Sequence, residues 1–418
     1  MADEVRDLRR LVIKAFHMTD VEWGDHNDIT VDGHMTVSKE MIDQLVAEEE
    51  HLEKIDIQII KPGDHDRWTN TIMDIIPIST KVLGKIGEGI THTVTGVYVI
   101  LTGVDVNGKQ CHEFGSSEGN LKDQLYLNRA GTPGDNDYII SFDVTLAAGM
   151  GQERPGPTAA HRACDKFIQS YRDKLKKFKG EKCTERHEYH DIVRPGKKRV
   201  LIVKQVAGQG AMYDTHLFAK EPSGVEGGRS IIDMGNMPVL VTPNEYRDGI
   251  IRSMQYGGVS MGIGPSTKET SLHHFRDPLL DVVSQDTDVD LMGIVIVGTP
   301  DDNVDKMLVG TRTAVWAEAM RADGVIISSD GWGNSDVDFT NTCEQLGTRG
   351  IAVTGLNFSG TVAQFVVVND YLDGIIDINK SADGTETDVV GENNVVELDC
   401  KKALALLKLK MRKNEQKR

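Results

Sequence analysis

The sequence predicts an α/β protein, with an N-terminal α+β domain followed by a doubly wound, mostly parallel-sheet domain. Three observations carry that reading. Through the first 179 residues, β-branched runs alternate apolar and polar side chains, as strands with one wet face do. From Val200 onward the apolar runs become short and continuous, with helical patterns between them, as in a parallel sheet covered on both faces. Between the two regimes, residues 180–198 are polar, hold Pro195-Gly196 and show little apolar periodicity. The expected division is a domain at 1–179, a linker at 180–198, a Rossmann-like domain at 199–400 and a basic C-terminal helix or tail at 401–418. A chain of 418 residues suits two domains, because one domain usually holds roughly 100–200.

In the first part, Leu11–Phe16 and Ile55–Ile60 read as strands, the second closed by the turn Lys61-Pro62-Gly63. Thr93–Thr102 reads as one long strand and Tyr138–Leu146 as another, with loops at Gly115–Gly119 and Gly131–Gly134. Beyond Pro155-Gly156-Pro157, the spacing of Ala160, Cys164, Phe167, Ile168 and Tyr171 predicts a helix over Thr158–Lys177. In the second part, Val200–Val206, Pro238–Val241, Gly293–Val297, Gly324–Ile327 and Gly350–Thr354 read as buried strands. Thr242-Pro243-Asn244-Glu245 starts a helix, with a hydroxyl at the N-cap, proline at the first helical position and an acid in the first turn. Pro300–Met320 and Asp336–Leu346 supply two more helices. Ligands of such sheets gather at the carboxyl ends of strands, so candidate sites should follow those runs.

A formal charge of −17 repels phosphate backbones and anionic lipid, so neither nucleic acid nor membrane is an expected partner. No apolar run reaches the roughly 18 residues of a membrane span, and Met1–Arg10 lacks the apolar stretch of a signal peptide. Cytoplasm is the expected location. Five cysteines, at 111, 164, 183, 343 and 400, form no C-x-x-C pair, which argues against a disulfide framework and leaves any dithiol step to a partner. Near the end, Lys401, Lys402, Lys408, Lys410, Arg412 and Lys413 surround the apolar spacing Leu404, Leu406, Leu407 and Met411. This is either a last helix with a solvated basic face or a contact for an acidic partner subunit.

Four clusters invite chemistry. Gly208 and Gly210 follow a strand as a phosphate cradle would, but Tyr213 stands where the third glycine belongs, so a tight turn fits better than a nucleotide site. Cys183, His187, Glu188 and His190 have spacings a metal can use, yet they lie in a polar segment that reads as a solvated loop, and no metal is expected. Asp330, Asn334, Asp336 and Asp338 follow Gly324–Ile327, as caps for the next helix or, by position, with Asn334 and Asp336 as substrate contacts. Tyr256–Pro265 is the most unusual stretch, four glycines and a proline around one hydroxyl, Ser260. Its candidates are Ser260 for catalysis and Gly257, Gly258 and Gly262 for backbone approach to a substrate. His273 and His274, just downstream, suit proton transfer, and Arg276 suits a bidentate grip on a carboxylate.

Several blocks carry a family resemblance: Gly87-Glu88-Gly89-Ile90-Thr91-His92, Arg129-Ala130-Gly131-Thr132-Pro133, Gly156–Asp165, Gly208–Asp214 with Ser223-Gly224-Val225, Pro243-Asn244-Glu245, and Gly331-Trp332-Gly333-Asn334 with Asp336. From about Leu11 to Ile376 the chain resembles the D-proline reductase proproteins and the component B proproteins of glycine, sarcosine and betaine reductase. The resemblance implies a subunit of an amino-acid reductase complex, oligomeric, acting on a small amino acid or amine with a thiol- or selenol-bearing partner subunit. It also implies self-cleavage at a cysteine in the turn matching Gly257–Gly264, which leaves a pyruvoyl group. This sequence has no cysteine between Arg252 and Arg276, so a pyruvoyl group would have to come from Ser260 by the same acyl shift. The expected protein is a subunit without self-cleavage and with no certain cofactor. A non-catalytic scaffold and a nucleotide-binding regulator stand as alternatives.

Overall fold

The computed structural model describes residues 4–111, 117–152, 155–206, 237–249, 264–300, 302–329, 331, 333–360, 365 and 367–417. It has mixed α and β content in several sheets. In the first half, one four-stranded sheet runs in the order Glu185–Val193, Arg6–His17, Gly89–Thr95, Ser79–Leu83, and a second in the order Leu52–Ile60, Tyr138–Leu146, Val97–Asp105, Thr71–Ile76. The helix Pro155–Leu175 packs Phe167, Ile168 and Tyr171 into the core that Phe16 and Val94 share with Ile57, Val99 and Phe142. The opposite face of the second sheet, through Ile72, Ile75, Tyr98 and Ile139, receives Leu272 and Val390 from the second half.

The expected long strand Thr93–Thr102 is two strands in two sheets. Gly96 breaks it with φ +79°, and a Cβ there would lie 2.3 Å from the Met18 carbonyl oxygen. Glycine alone turns the chain that tightly, and alternation reads straight through it. The expected linker at 180–198 is also corrected, because it holds the strand Glu185–Val193, antiparallel to Arg6–His17. Its charged residues reflect an edge position, where most of its side chains meet water. His187, Glu188 and His190 therefore sit on a strand, not in a loop, and His190 Nε2 lies 3.3 Å from Glu188.

The second half centres on a six-stranded sheet in the order Val239–Val241, Val289–Gly298, Lys198–Val206, Gly324–Ser329, Ala352–Asn357, Ile375–Asp377. All neighbours are parallel except the first pair. The short strand Val239–Val241, expected as a doubly covered run at Pro238–Val241, is instead an antiparallel edge with Leu240 exposed. In the central strand, Ile202 and Val206 face Leu279, Val283, Leu404 and Leu407. Leu201 and Val203 face Val309, Ala314, Phe339 and Leu346 on the other side. Each such leucine taken from water contributes roughly 1.5–3 kcal/mol. The helix Glu397–Lys417 buries Leu404, Leu407 and Met411 against this sheet and is no tail. Its cations meet acids of the same chain, Lys408 with Asp286 and Asp288, and Lys410 with Asp373. Among the described residues, no helix is long and apolar enough to cross a membrane.

Candidate functional site

The central strand Lys198–Val206 carries a lysine near its carboxyl end, on a face otherwise lined by Val200, Ile202 and Val206. A lysine there stays charged only if acids meet it, because a lone ammonium in low dielectric is prohibitively costly. Lys204 Nζ lies 2.7 Å from Glu269 Oε1, 3.0 Å from Asp277 Oδ2 and 3.2 Å from Ser328 Oγ, so each of its three N–H groups has an acceptor. Burial works against the ammonium, but Asp277 and Glu269 outweigh it and hold its pKa above the ordinary lysine range. Burial likewise opposes both carboxylates, and Lys204 holds each below the usual range, Glu269 well below.

Histidines complete the cluster. The short helix Ser271–Phe275 is capped by Thr270 Oγ1, which accepts from the His273 N–H at 3.2 Å. It carries His273 Nε2 to 3.2 Å from Glu269 Oε1. Tyr246, from the helix Pro243–Arg247, donates to Asp277 Oδ2 at 2.9 Å, and its oxygen lies 2.9 Å from His274 Nδ1. Because the tyrosine proton is committed to Asp277, His274 donates from Nδ1 and presents Nε2 as an acceptor. That nitrogen is buried and has no hydrogen-bond partner among the described residues. Burial pushes the His274 pKa down to about 4, so the ring is neutral near pH 7. The arrangement is a neutral base, a phenol and a carboxylate in series beside a fixed cation, which can hold and move a proton.

Glu269, His273 and Asp277 offer ligand atoms all within 4.8 Å of one another, a set a metal could use. The Lys204 ammonium touches both carboxylates and already fills the cation's place.

The structure brings His273 and His274 together and places Arg276 and Asp336 elsewhere. Ser260, Gly257, Gly258 and Gly262 lie outside the described residues, as do Gly208, Gly210 and Asp330. Arg276 follows the helix Ser271–Phe275, exposed, its guanidinium 4.7 Å from the Tyr98 ring centre, and it does not join the Lys204 cluster. Asp336 lies in the first turn of the helix Asn334–Thr348, accepting from Asn357 Nδ2 at 2.8 Å and from the Gly333 N–H at 3.1 Å. Burial pushes its carboxyl up to about 6. Asn334 opens that helix, and its side chain lies outside what is described. Asp338 pairs with buried Lys306.

Sequence reasoning missed Lys204, Glu269, Asp277 and Tyr246. The signal was a charge inside the run Val200–Val206, together with the four-residue spacing of Glu269, His273 and Asp277. Two of the blocks that carry the resemblance pack against these helices. Gly131 comes so close to His273 that a Cβ would lie 2.8 Å from the histidine's own. Gly87 donates its N–H to Asp248, next to the Tyr246 helix, at 2.7 Å.

Comparison with known proteins agrees. The family described as glycine/sarcosine/betaine reductase component B subunits matches residues 9–111 and 159–363. The chain is 38% identical to the D-proline reductase proprotein PrdA of Acetoanaerobium sticklandii, over 99% of this chain and 65% of that protein. It therefore spans about two-thirds of that relative's length. It is 24% identical to the glycine reductase complex component B subunits alpha and beta of the same organism, over 82% of this chain and 77% of the relative. It is 23% identical to the sarcosine reductase complex component B subunit alpha of Peptoclostridium acidaminophilum, over 93% and 87%. No solved structure matches the chain.

Proposed function

The chain belongs to the family of glycine, sarcosine and betaine reductase component B subunits, and from that premise we propose that it is a subunit of a D-proline/glycine-reductase-type complex that reductively cleaves the C–N bond of a small amino acid or amine. The observation that supports the chemistry is the convergence of His273 and His274 on Lys204, Glu269, Asp277 and Tyr246 near the carboxyl end of the central strand.

Cleaving a C–N bond to C–H and N–H consumes two electrons and two protons. A thiol pair, or a thiol and a selenol, releases that many when it closes to a disulfide or selenenyl sulfide. Three of the five cysteines suit the task poorly. Cys111, Cys343 and Cys400 are buried, and burial raises each thiol, Cys343 to about 12, which disfavours the reactive thiolate. With no C-x-x-C pair in the chain, the electrons on this reading come from a partner subunit, while His273 and His274 hold and pass protons. Lys204 keeps the two carboxylates ionised beside them. The turn around Ser260 lies outside the described residues, and the proton chemistry of the buried centre requires no pyruvoyl group. On the same reading the chain divides into two domains between the strands Glu185–Val193 and Lys198–Val206, the second domain doubly wound, and works in the cytoplasm as part of an oligomer.

The test is turnover by the reconstituted complex, supplied with dithiothreitol and D-proline, glycine, sarcosine or betaine, read as C–N bond cleavage. The expected result is cleavage of at least one substrate, falling about 100-fold or more in His274→Gln. An assembled complex that cleaves none of the four would refute the reading, and an intact mass below that of the uncut chain would restore self-cleavage. The absence of a cysteine between Arg252 and Arg276 favours a second reading, a non-catalytic scaffold. It predicts that His274→Gln assembles and leaves turnover unchanged.

A further inference from the structure

The helix that sends His273 and His274 into the buried centre lends Leu272, Phe275 and Arg276 to a separate open cleft of about 300 Å³. Arg247 lines the same cleft, next in sequence to Tyr246 of the buried centre. Cleft and centre thus share the material of two short helices.

Two guanidiniums lie over tyrosine rings there, Arg276 over Tyr98 at 4.7 Å and Arg247 over Tyr189 at 4.5 Å. Their pairing differs. Arg247 is buried and donates to Asp281 and, at 2.7 Å, to Ser284 Oγ, so its charge is met within the chain. Arg276 is exposed and, among the described residues, forms no ion pair with a carboxylate. A guanidinium held on an aromatic ring, and here also hydrogen-bonded to Tyr98, is fixed in orientation and keeps further N–H groups for a carboxylate. The cleft also contains Glu185, 62% exposed, which lies 3.2 Å from His187 Nε2. Ile13, Ala15 and Val94 add apolar lining. A guanidinium without a carboxylate partner among the described residues, an exposed carboxylate met by a histidine, and apolar and aromatic walls, in a volume suited to a small molecule, match a compact ligand with both charges.

We propose that this cleft binds a small zwitterionic amino acid, its carboxylate on Arg276, its amine toward Glu185 and its carbon skeleton against Tyr98 and Phe275. The substrate class rests on the reductase reading above; the site rests on the cleft. Because Arg276 and His274 belong to one helical turn and its cap, an occupant of the cleft sits one short helix away from the proton-holding centre.

Calorimetric titration of the full chain, alone, with D-proline, prolinamide and pyrrolidine tests the site. D-Proline is expected to bind at least tenfold more tightly than the two compounds without a carboxylate. Arg276→Gln is expected to weaken D-proline at least tenfold with an unchanged thermal midpoint, and Arg276→Lys to recover part of the loss. Glu185→Gln is expected to weaken D-proline without affecting the fold. Absence of heat with D-proline, glycine and sarcosine alike overturns the proposal, as does wild-type affinity in Arg276→Gln. The two readings fail separately. Turnover by the complex without binding to this cleft removes only the cleft, and binding without turnover removes only the reductase activity.

Discussion

Histidines and carboxylates gather twice in this chain, on the edge strand Glu185–Val193 and around Lys204, with opposite physics. On the strand, Glu185, His187, Glu188 and His190 pair among themselves and with Arg10, through side chains that are 28–62% exposed. Water and salt screen such contacts, and pairs of this kind contribute little to stability. Around Lys204 no paired side chain is more than 2% exposed, so every charge there depends on its neighbours for solvation. By residue type the first group had spacings a metal can use and the second had histidines suited to proton transfer. Burial, which residue types do not show, sets the two apart.

The sharpest way to break that contrast is to remove the buried cation. Lys204→Met leaves Glu269 and Asp277 facing each other without a counter-charge, and should cost about 3–5 kcal/mol in denaturant unfolding at pH 7. Adding Glu269→Gln should recover part of it, whereas a loss below about 1 kcal/mol would mean the cluster is solvated.

Acid titration gives the next effect. His274 has a folded pKa of about 4, below its unfolded value of about 6.5, so the unfolded chain binds the extra proton between those values. Its contribution is complete above about pH 6.5 and is lost as the pH falls through 4, roughly 3 kcal/mol in all. Asp336, raised to about 6, titrates with the opposite sign over part of that range. The difference between wild type and His274→Gln therefore isolates the histidine, and identical pH–stability curves would contradict its burial.

Smaller still, Tyr246→Phe removes the hydroxyl between His274 and Asp277 and should cost about 1–2 kcal/mol by the same denaturation. At the bottom of the scale, the paired change His187→Ala and His190→Ala should leave the midpoint unmoved. A clear drop there would erase the distinction between the two clusters.

Much of the second half was legible in the sequence, because continuous β-branched runs such as Val200–Val206 and Gly324–Ile327 have few other uses in a folded chain. Gly96 and the strand Glu185–Val193 were not, for different reasons. A glycine's φ is set by what its neighbours require, here the Met18 carbonyl, and an edge strand wetted along most of its length has no apolar rhythm to read. His273 and His274 stood out through their polar company, while Lys204 was hidden inside the run that defined its strand. Arg276 was paired with them on sequence nearness, but it follows the helix end and turns to Tyr98.

The strand Arg6–His17 has one neighbour at Gly89–Thr95 and the other at Glu185–Val193. During synthesis it is made long before Glu185–Val193 and must wait for that strand before its second edge is covered. Pairings this distant fold slowly and leave a bare edge prone to misassembly meanwhile. The outermost, most charged strand of that sheet thus closes the seam last, and its salt-laced surface keeps the finished edge from recruiting another copy.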